Sequence, residues 1–367
     1  MQPGNRNQEK KMEHTDRIEF AYPATLMFKA DDRFLFGREP TPRRMPDGSI
    51  VSLVYTGGTK EPHPDNVAAV IRSTDDGASW SKPELLFKHP FRCTWGTELF
   101  TETSRPFAVF QTFCHETTYA ELRAFMTFTD DNGKSWTNPV SIPGVPPNFS
   151  VRQGKVLSDG SWLFPVYWLE QRSDWTACNA PDAFYTSGVI RSTDGGKTFS
   201  LHGAVATPGH AWEPEVTELE PGHLKMFVRY EHADAVLWES DSFDYGRSWS
   251  TARPSAIPNP GTKFVIYKIR GRHVLVNNVC TPERRERDVL ELWISNDNCA
   301  NWSKKLPLAR LNKENPNTWD GFWDGGEALP QAAYPHGFAD DGEEKLYLAI
   351  DSVRKFFFLK VPYSDLL

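Results

Sequence analysis

The chain has 367 residues and a formal net charge of −7, from 41 Lys and Arg residues against 48 Asp and Glu residues. This acidic balance argues against a nucleic-acid partner, and no apolar run of about 18 residues is present that would cross a membrane. Two average domains would fit this length, but large all-β folds also reach it as one domain.

The beginning of the chain and the cysteines carry little functional signal. Residues 1–17 are polar and charged without an apolar run, so we expect a disordered tail rather than a secretory signal. The five Cys residues are odd in number and scattered, which favours reduced thiols over a disulfide framework or a metal site.

An eight-residue motif, close to Ser-x-Asp-x-Gly-x-Ser-Trp, occurs five times, and successive copies begin 50 to 63 positions apart. A repeat at this period indicates similar supersecondary units arranged side by side. The copies are Ser73–Trp80, Thr129–Trp136, Ser192–Phe199, Ser242–Trp249 and Ser295–Trp302.

The motif predicts a tight turn within a hairpin, because each copy follows a short run of strand-forming residues. Its Asp and its first hydroxyl can accept backbone N–H bonds, its Gly permits a positive φ, and its closing aromatic is expected to fill the layer between sheets. The fifth copy has Cys299 in place of Gly, so we expect a distorted turn there.

These repeats match the Asp boxes of β-propellers and predict an all-β fold, a six-bladed β-propeller of four-stranded antiparallel sheets within one domain at 18–367. Further strands before and after the boxes, such as 50–55 and 345–350, complete six blades of about 55 residues. A propeller gathers loops from every blade at one end of its axis, and the boxes are expected at the opposite end.

Candidate chemistry appears at several points along the chain. Arg38 lies in Arg-Glu-Pro before a Pro-Asp-Gly turn, and the Gly- and Pro-rich loop at 57–66 carries Glu61, His63 and Asp65. Such a stiffened loop suits a general acid, although an ordinary turn is the alternative.

Later segments add more candidates. Alternation along the strand at 212–219 places Glu213 and Glu215 on one face. Arg229 ends the following strand, Arg287 precedes the fifth box by eight residues, and Tyr334 precedes the last blade.

In this order, the residues resemble the sialidase (neuraminidase) superfamily over roughly residues 30 to 362. The resemblance implies that Arg38, Arg229 and Arg287 form an arginine triad that binds a substrate carboxylate. Glu39 stands where the family usually has Ile after the first arginine.

The same resemblance assigns the reacting groups. Tyr334 matches the family's nucleophile, and Glu213 matches the base that activates it, with Glu218 as the second residue of the Glu-x-x-x-x-Glu pattern. Asp65 is the candidate acid, but it lies closer to the following strand than the family's Asp does, so His63 and Glu61 remain alternatives.

This set suits a sugar whose carboxylate sits on the anomeric carbon. Guanidinium groups bind such a carboxylate through planar, bidentate hydrogen bonds. A neutral Tyr avoids the repulsion that a carboxylate nucleophile would meet, which makes sialidases exceptions among retaining glycosidases. We therefore expect an exo-acting glycoside hydrolase, an exo-α-sialidase as the first hypothesis, that binds an acidic sugar or oligosaccharide and needs no metal or cofactor.

Two alternatives stay open. One is a hydrolase or lyase of uronate- or rhamnose-containing polysaccharide, for which histidines would carry protons; its candidates are His63, His115, Tyr119 and His336. His63 and His336 are also predicted to bind substrate in the first hypothesis. The other is a non-catalytic carbohydrate-binding propeller, whose stacking residues would be Trp168, Trp175, Trp319 and Trp323 beside a loop at 315–326.

Overall fold

A computed structural model describes residues 17–114, 121–169, 185–230, 234–312, 323–324, 327–328 and 331–367. Antiparallel sheets account for nearly all of the regular structure in these ranges. The predicted tail at 1–17 lies outside them except for its last residue, where the first strand begins. No helix within the described ranges is long and apolar enough to cross a membrane.

The sheets are numbered as blades in chain order, and the first two strands join the last two blades. These strands are β1 (Arg17–Phe20) and β2 (Ala24–Lys29). Blade 1 contains β3 (Gly37–Arg44), β4 (Ile50–Thr56), β5 (Val67–Ser73) and β6 (Glu84–Phe87). Blade 2 contains β7 (Cys93–Phe100), β8 (Phe107–Phe113), β9 (Arg123–Phe128) and β10 (Val140–Ser141).

Blade 3 has an inner strand in two pieces. It contains β11 (Ser150–Val151), β12 (Lys155–Val156), β13 (Trp162–Leu169), β14 (Tyr185–Ser192) and β15 (Ser200–Val205). Blade 4 contains β16 (Ala211–Glu220), β17 (His223–Tyr230), β18 (Val236–Ser242) and β19 (Arg253–Pro258).

Blade 5 carries β1 on its outer edge. Its other strands are β20 (Val265–Ile269), β21 (Arg272–Asn278), β22 (Val289–Ser295) and β23 (Lys304–Asn312). A small hairpin follows, formed by β24 (Trp323–Asp324) and β25 (Glu327–Ala328). Blade 6 contains β26 (Ala333–Asp340), β27 (Lys345–Asp351) and β28 (Lys355–Pro362), with β2 as its outer strand, and α1 (Tyr363–Leu366) ends the chain.

The six sheets stand in a ring, and their innermost strands meet around the axis: β26 contacts β3, β3 contacts β7, β16 contacts β20, and β20 contacts β26. The predicted six-bladed propeller is thus confirmed. Because β2 pairs with β28, residues from both ends of the described chain complete blade 6 and close the ring.

The repeated motif forms the predicted hydrogen-bonded turn between the third and fourth strands of its blade. In the first copy, Ser73 Oγ accepts the N–H of Gly77 at 2.8 Å, and Asp75 Oδ1 accepts the N–H of Ser79 at 2.9 Å. The same pair of bonds recurs in the other four copies, with acceptors Thr129 and Asp131, Ser192 and Asp194, Ser242 and Asp244, and Ser295 and Asp297.

The aromatic side chain that closes each box packs between its own blade and the preceding one. Trp80 of blade 1, for example, meets Phe358 of blade 6 with ring centroids 5.1 Å apart. Each plug therefore adds apolar area to a seam between two sheets, which stabilises their contact. The plugs in blade order are Trp80, Trp136, Phe199, Trp249 and Trp302.

The expected distortion of the fifth turn is wrong. Cys299 adopts a φ of 63°, and its N–H reaches Ser295 Oγ at 3.0 Å, as the glycines do in the other copies. A side chain at positive φ costs some free energy, but the Cys299 side chain is buried with the apolar residues between blades 4 and 5.

Replacing Ser73 by Ala is expected to destabilise the protein by about 1–3 kcal/mol, because the buried N–H of Gly77 loses its acceptor. Denaturant unfolding followed by tryptophan fluorescence measures this loss. The control is Ser79→Ala, which removes an exposed bond to Asp75 and should cost less than about 0.5 kcal/mol. Equal losses would show that the buried turn bond does not stabilise the blade.

Candidate active site

A cavity of about 140 Å³ opens at the end of the axis where β3, β16 and β26 begin. Because neighbouring strands are antiparallel, the loop between β4 and β5 lies at this same end, and the Asp boxes lie at the other. The lining residues are Arg38, Glu39, Glu61, Trp95, Tyr167, Tyr185, Trp212, Glu213, Arg229, Arg287 and Tyr334.

Three arginines from three blades surround Tyr334. The guanidinium carbons of Arg38 and Arg287 lie 4.4 and 5.4 Å from the centroid of its ring. Its hydroxyl oxygen accepts hydrogen bonds from Nη1 of Arg229 at 3.1 Å and Nη1 of Arg287 at 3.3 Å. The four residues that the sequence places on blades 1, 4, 5 and 6 therefore line a single cavity, with three cations around one phenol.

A buried carboxylate fixes the first of these arginines. Asp351, at the end of β27, accepts a hydrogen bond from Arg38 Nε at 2.7 Å and another from the backbone N–H of Val353 at 2.7 Å. Both charged side chains are almost fully buried. Because removal from water is costly for each charge alone, this pair holds the Arg38 guanidinium in one orientation facing Tyr334.

Glu213 is connected to the phenol through Arg229. Arg229 Nη1 donates to Glu213 Oε2 as well as to the Tyr334 hydroxyl, so one nitrogen joins the two side chains. Burial alone would raise the pKa of Glu213, but the positive charges of Arg229 and Arg152 outweigh it and lower that pKa to about 2. Glu213 is therefore ionised in the unliganded pocket.

Three lining residues share an unusual backbone position at the start of their inner strands. Glu39, Glu213 and Tyr334 have φ of 48°, 47° and 50°, and each lies where the register with the next strand shifts. Each is also followed by a proline, which cannot donate to the ladder. These bulges direct Glu39, Glu213 and Tyr334 into the pocket, as bulges beside active sites commonly do.

The bulge also breaks the predicted alternation at 212–219. Ala211 and Val216 both pack in the core between blades 3 and 4, which strict alternation does not allow. Glu213 lines the pocket, whereas Glu215 is buried beside Lys155, with 3.6 Å between Glu215 Oε2 and Lys155 Nζ. The two carboxylates therefore do not share one environment.

The candidate acids occupy different places in their loop. Glu61 lines the pocket, with Oε2 at 3.8 Å from Arg38 Nη1. The Asp65 side chain is 62% exposed and accepts a hydrogen bond from Lys88 Nζ at 2.9 Å. His63 is half-buried, and its Nδ1 accepts the backbone N–H of Asp65 at 3.1 Å. Neither Asp65 nor His63 lines the pocket.

Two other predicted residues also lie elsewhere. His336 is buried below the pocket, where its Nδ1 is 3.0 Å from Arg43 Nη1; burial lowers its pKa well below the usual range. Glu218 lies at the Asp-box end of β16, where it accepts hydrogen bonds from Ser158. The bulge at Glu213 and the length of β16 separate Glu218 from the pocket.

Several of the residues proposed for the two alternative functions lie outside the part of the chain that the structure describes. Trp168 is partly buried against the core between blades 2 and 3 and does not line the pocket. The others lie outside the described residues or, for Trp323, have only a described backbone: His115, Tyr119, Trp175, Trp319 and Trp323.

Sequence reasoning missed the floor of the pocket. Arg152 Nη1 lies 3.4 Å from Glu39 Oε2 and 3.9 Å from Glu213 Oε1, and Lys263 Nζ lies 3.3 Å from Glu39 Oε2. All four side chains are buried. They come from blades 1, 3, 4 and 5, and of the four only Glu213 was predicted to belong to the site.

An aromatic wall, also missed, bounds the cavity on blades 3 and 4. The Tyr185 and Trp212 rings stack with centroids 4.9 Å apart, and Tyr167 meets Tyr185 edge to face at 5.7 Å. Trp95 of blade 2 also lines the cavity. The pocket thus combines apolar faces with charged groups, a combination typical of small-ligand sites.

Within the described part of the chain, no three His, Cys, Asp or Glu side chains are grouped so that they could hold a metal ion. The charged groups of the pocket instead pair with one another: Arg38 with Asp351, Arg229 with Glu213, and Arg152 with Glu39.

The Asp-box ring and this pocket define a sialidase-like propeller. The family model described as "BNR repeat-like domain" matches residues 42–344, and the chain belongs to that family.

Known proteins agree with this assignment. A sialidase from Bacteroides fragilis (strain YCH46) is 25% identical over 205 residues, covering 52% of this chain and 34% of that protein. The chain thus spans about a third of the length of this curated relative.

Solved structures share the fold at lower identity. The NanB sialidase from Streptococcus pneumoniae superposes with a TM-score of 0.66 at 13% identity, covering 94% of this chain and 71% of that one. The intramolecular trans-sialidase from Ruminococcus gnavus, in complex with oseltamivir carboxylate, gives a TM-score of 0.61 at 14% identity, covering 96% and 98%.

Replacing Asp351 by Ala is expected to destabilise the protein by roughly 3–5 kcal/mol, because Arg38 would keep a buried charge without its closest partner. The control is Glu344→Ala in the same blade, which breaks an exposed pair with Arg270 and should cost about 0–1 kcal/mol. Denaturant titrations of both variants compare the two losses. A small effect at Asp351 would mean that other groups hold Arg38 in place.

Proposed function

We propose that this protein is a retaining glycoside hydrolase that removes a terminal acidic sugar, with sialic acid glycosides as the first substrates to test. The observation that carries the proposal is the placement of three guanidinium groups around the hydroxyl and ring of Tyr334. Such groups bind a carboxylate through charged hydrogen bonds. A sugar held this way presents the carbon that bears its carboxylate to the phenol.

In the first step, the Tyr334 oxygen bonds to the anomeric carbon as the glycosidic C–O bond breaks. The Tyr334 proton passes to Glu213, and Glu61 donates a proton to the departing oxygen. In the second step, water attacks the anomeric carbon while Glu61 takes a proton from it. The tyrosyl bond breaks, and the phenol oxygen recovers its proton from Glu213, so that both carboxyl groups return to their first state.

Substrate binding itself prepares the base. In the unliganded pocket, Arg229 donates to Glu213, and its charge helps to keep the pKa of Glu213 at about 2. A substrate carboxylate would share the Arg229 guanidinium, weakening its hold on Glu213 and raising the proton affinity of this carboxylate. Glu213 would then accept the Tyr334 proton when the sugar is in place.

Glu61 takes the acid role here in place of Asp65. It lines the cavity, whereas Asp65 faces solvent beside Lys88. A general acid must lie within hydrogen-bond reach of the oxygen that it protonates, so position decides between the two before pKa does. The lyase alternative loses support for a similar reason, because His63 and His336 do not line the pocket.

The central test uses a panel of fluorogenic glycosides of sialic, glucuronic and galacturonic acids. Wild-type protein should release the fluorophore from at least one, and Tyr334→Phe should lower turnover by about a thousandfold or more. The matched control is Tyr347→Phe, which alters another buried Tyr of blade 6 far from the pocket and should leave turnover unchanged. No release from any acidic glycoside, or full activity in Tyr334→Phe, would reject the proposal.

Glu61→Gln is expected to lower kcat by about 10²–10⁴-fold for glycosides with a poor leaving group, because proton donation to the departing oxygen is lost. The loss should be smaller for an activated phenol, which leaves without protonation. Asp65→Asn serves as the control and should match wild type on both substrates. If Asp65→Asn shows the larger loss, the acid has been misassigned.

A further inference from the structure

The floor of the pocket contains an arginine that the proposed reaction leaves without a role. Arg152 follows β11 in blade 3 and is only 1% exposed. Its Nη1 lies 3.9 Å from Glu213 Oε1, on the opposite side of that carboxylate from the oxygen that accepts the Arg229 bond. Glu213 therefore lies between two guanidiniums, one lining the pocket and the other beneath it.

Arg152 is itself held by a buried counter-charge. Its Nη1 and Nη2 both lie 3.4 Å from Glu39 Oε2, and Lys263 Nζ contacts the same oxygen at 3.3 Å. An Arg buried this deeply without compensation would be strongly destabilising. Glu39 thus fixes Arg152, and Arg152 lies against Glu213.

Arg229 and Arg152 differ in whether a ligand in the cavity can contact them. Arg229 lines the cavity, so a bound carboxylate competes with Glu213 for it. Arg152 is not among the lining residues, and no ligand in the cavity displaces it from Glu213. Once substrate occupies Arg229, Arg152 is the guanidinium that still faces Glu213.

We infer that Arg152 is a positioning residue that keeps the Glu213 carboxylate oriented for the Tyr334 proton while substrate engages Arg229. This inference rests on the proposed function, since it assigns Arg152 a part in the activation of Tyr334. Arg152 does not touch the substrate. Its contribution belongs to the chemical step and not to substrate affinity.

Other charged or titratable groups also face Glu213, and they set the expected direction of change. They are Arg229 on β17, Tyr334 on β26, Tyr167 on β13 and Lys263 before β20. Removing Arg152 takes away one of the cations that lower the pKa of Glu213. The pKa of Glu213 should therefore rise, because the two charges lie close together.

The test compares Arg152→Met and Arg152→Lys with wild type and with Arg43→Met. Arg43 is another buried arginine paired with a buried carboxylate, Glu98, at 2.9 Å, but it does not contact Glu213. It therefore controls for the general cost of breaking a buried pair. Arg152→Lys keeps the charge and provides a folded variant if Arg152→Met does not fold.

The first readout needs no substrate. Glutamate labelled with ¹³C at Cδ, with the Glu213 signal assigned by its absence in Glu213→Gln, reports the pKa of Glu213 by NMR titration. We expect an upward shift in Arg152→Met, a smaller one in Arg152→Lys and none in Arg43→Met. An unchanged pKa in the Arg152 variants would overturn the inference, whatever the activity of the protein.

The second readout uses the best acidic glycoside from the panel. Arg152→Met should lower kcat by roughly tenfold or more with KM nearly unchanged, because it removes an interaction that acts in the chemical step. A higher KM with unchanged kcat would overturn the positioning role and indicate substrate contact. If wild type turns over no acidic glycoside while the NMR shift appears, the proposed reaction fails and the electrostatic link between Arg152 and Glu213 stands.

Discussion

Like charges brought close together in a buried site repel one another, and this constraint organises the pocket end of the propeller. Arg38, Arg229 and Arg287 all approach one phenol, where water cannot screen them well. The arrangement is stable only because carboxylates lie behind the cations. Asp351 backs Arg38, and Glu213 binds Arg229, so the positive charge that faces the cavity is balanced within a few ångströms.

The two ends of the propeller have different roles: one end closes the blades with regular turns, and the other end forms the pocket. At one end, the Asp boxes close blades 1 to 5 with local hydrogen bonds and place an aromatic plug in the seam with the preceding blade. At the other end, the inner strands of blades 1, 4 and 6 open into bulges before a proline, which direct Glu39, Glu213 and Tyr334 into the pocket. Regular packing at the box end supports irregular backbone at the pocket end, where strain is compatible with function.

The fold could be predicted from the sequence because the signals that specify it are local. A box of eight residues contains its own hydrogen-bond donors and acceptors, and five copies at a steady spacing leave few alternatives to a ring of similar sheets. The fifth box shows the limit of this reasoning. A missing glycine at position 299 suggested distortion, yet Cys299 accepts the same backbone angle while its side chain fills the seam.

The pocket was predictable only in part. Arg38, Arg229, Arg287 and Tyr334 appear in the order that the resemblance to sialidases implies, and order along a repeat indicates position around a ring. The choice between Glu61 and Asp65 depends on how one loop turns, which no repeat specifies. The contact between Arg152 and Glu39 could not be predicted, because the two residues are 113 positions apart in the chain and meet only in the closed ring.

Ring closure and the pocket are coupled through blade 6. Its innermost strand supplies Tyr334, its next strand supplies the carboxylate that orients Arg38, and its outermost strand is β2 from the opposite end of the chain. Because β26 and β27 follow the first five blades in the sequence, Tyr334 and Asp351 join Arg38 only once blade 6 has formed. The pocket therefore depends on the same sheet that closes the ring, so a change that loosens β2 from β28 also disturbs the surroundings of Arg38 and Tyr334.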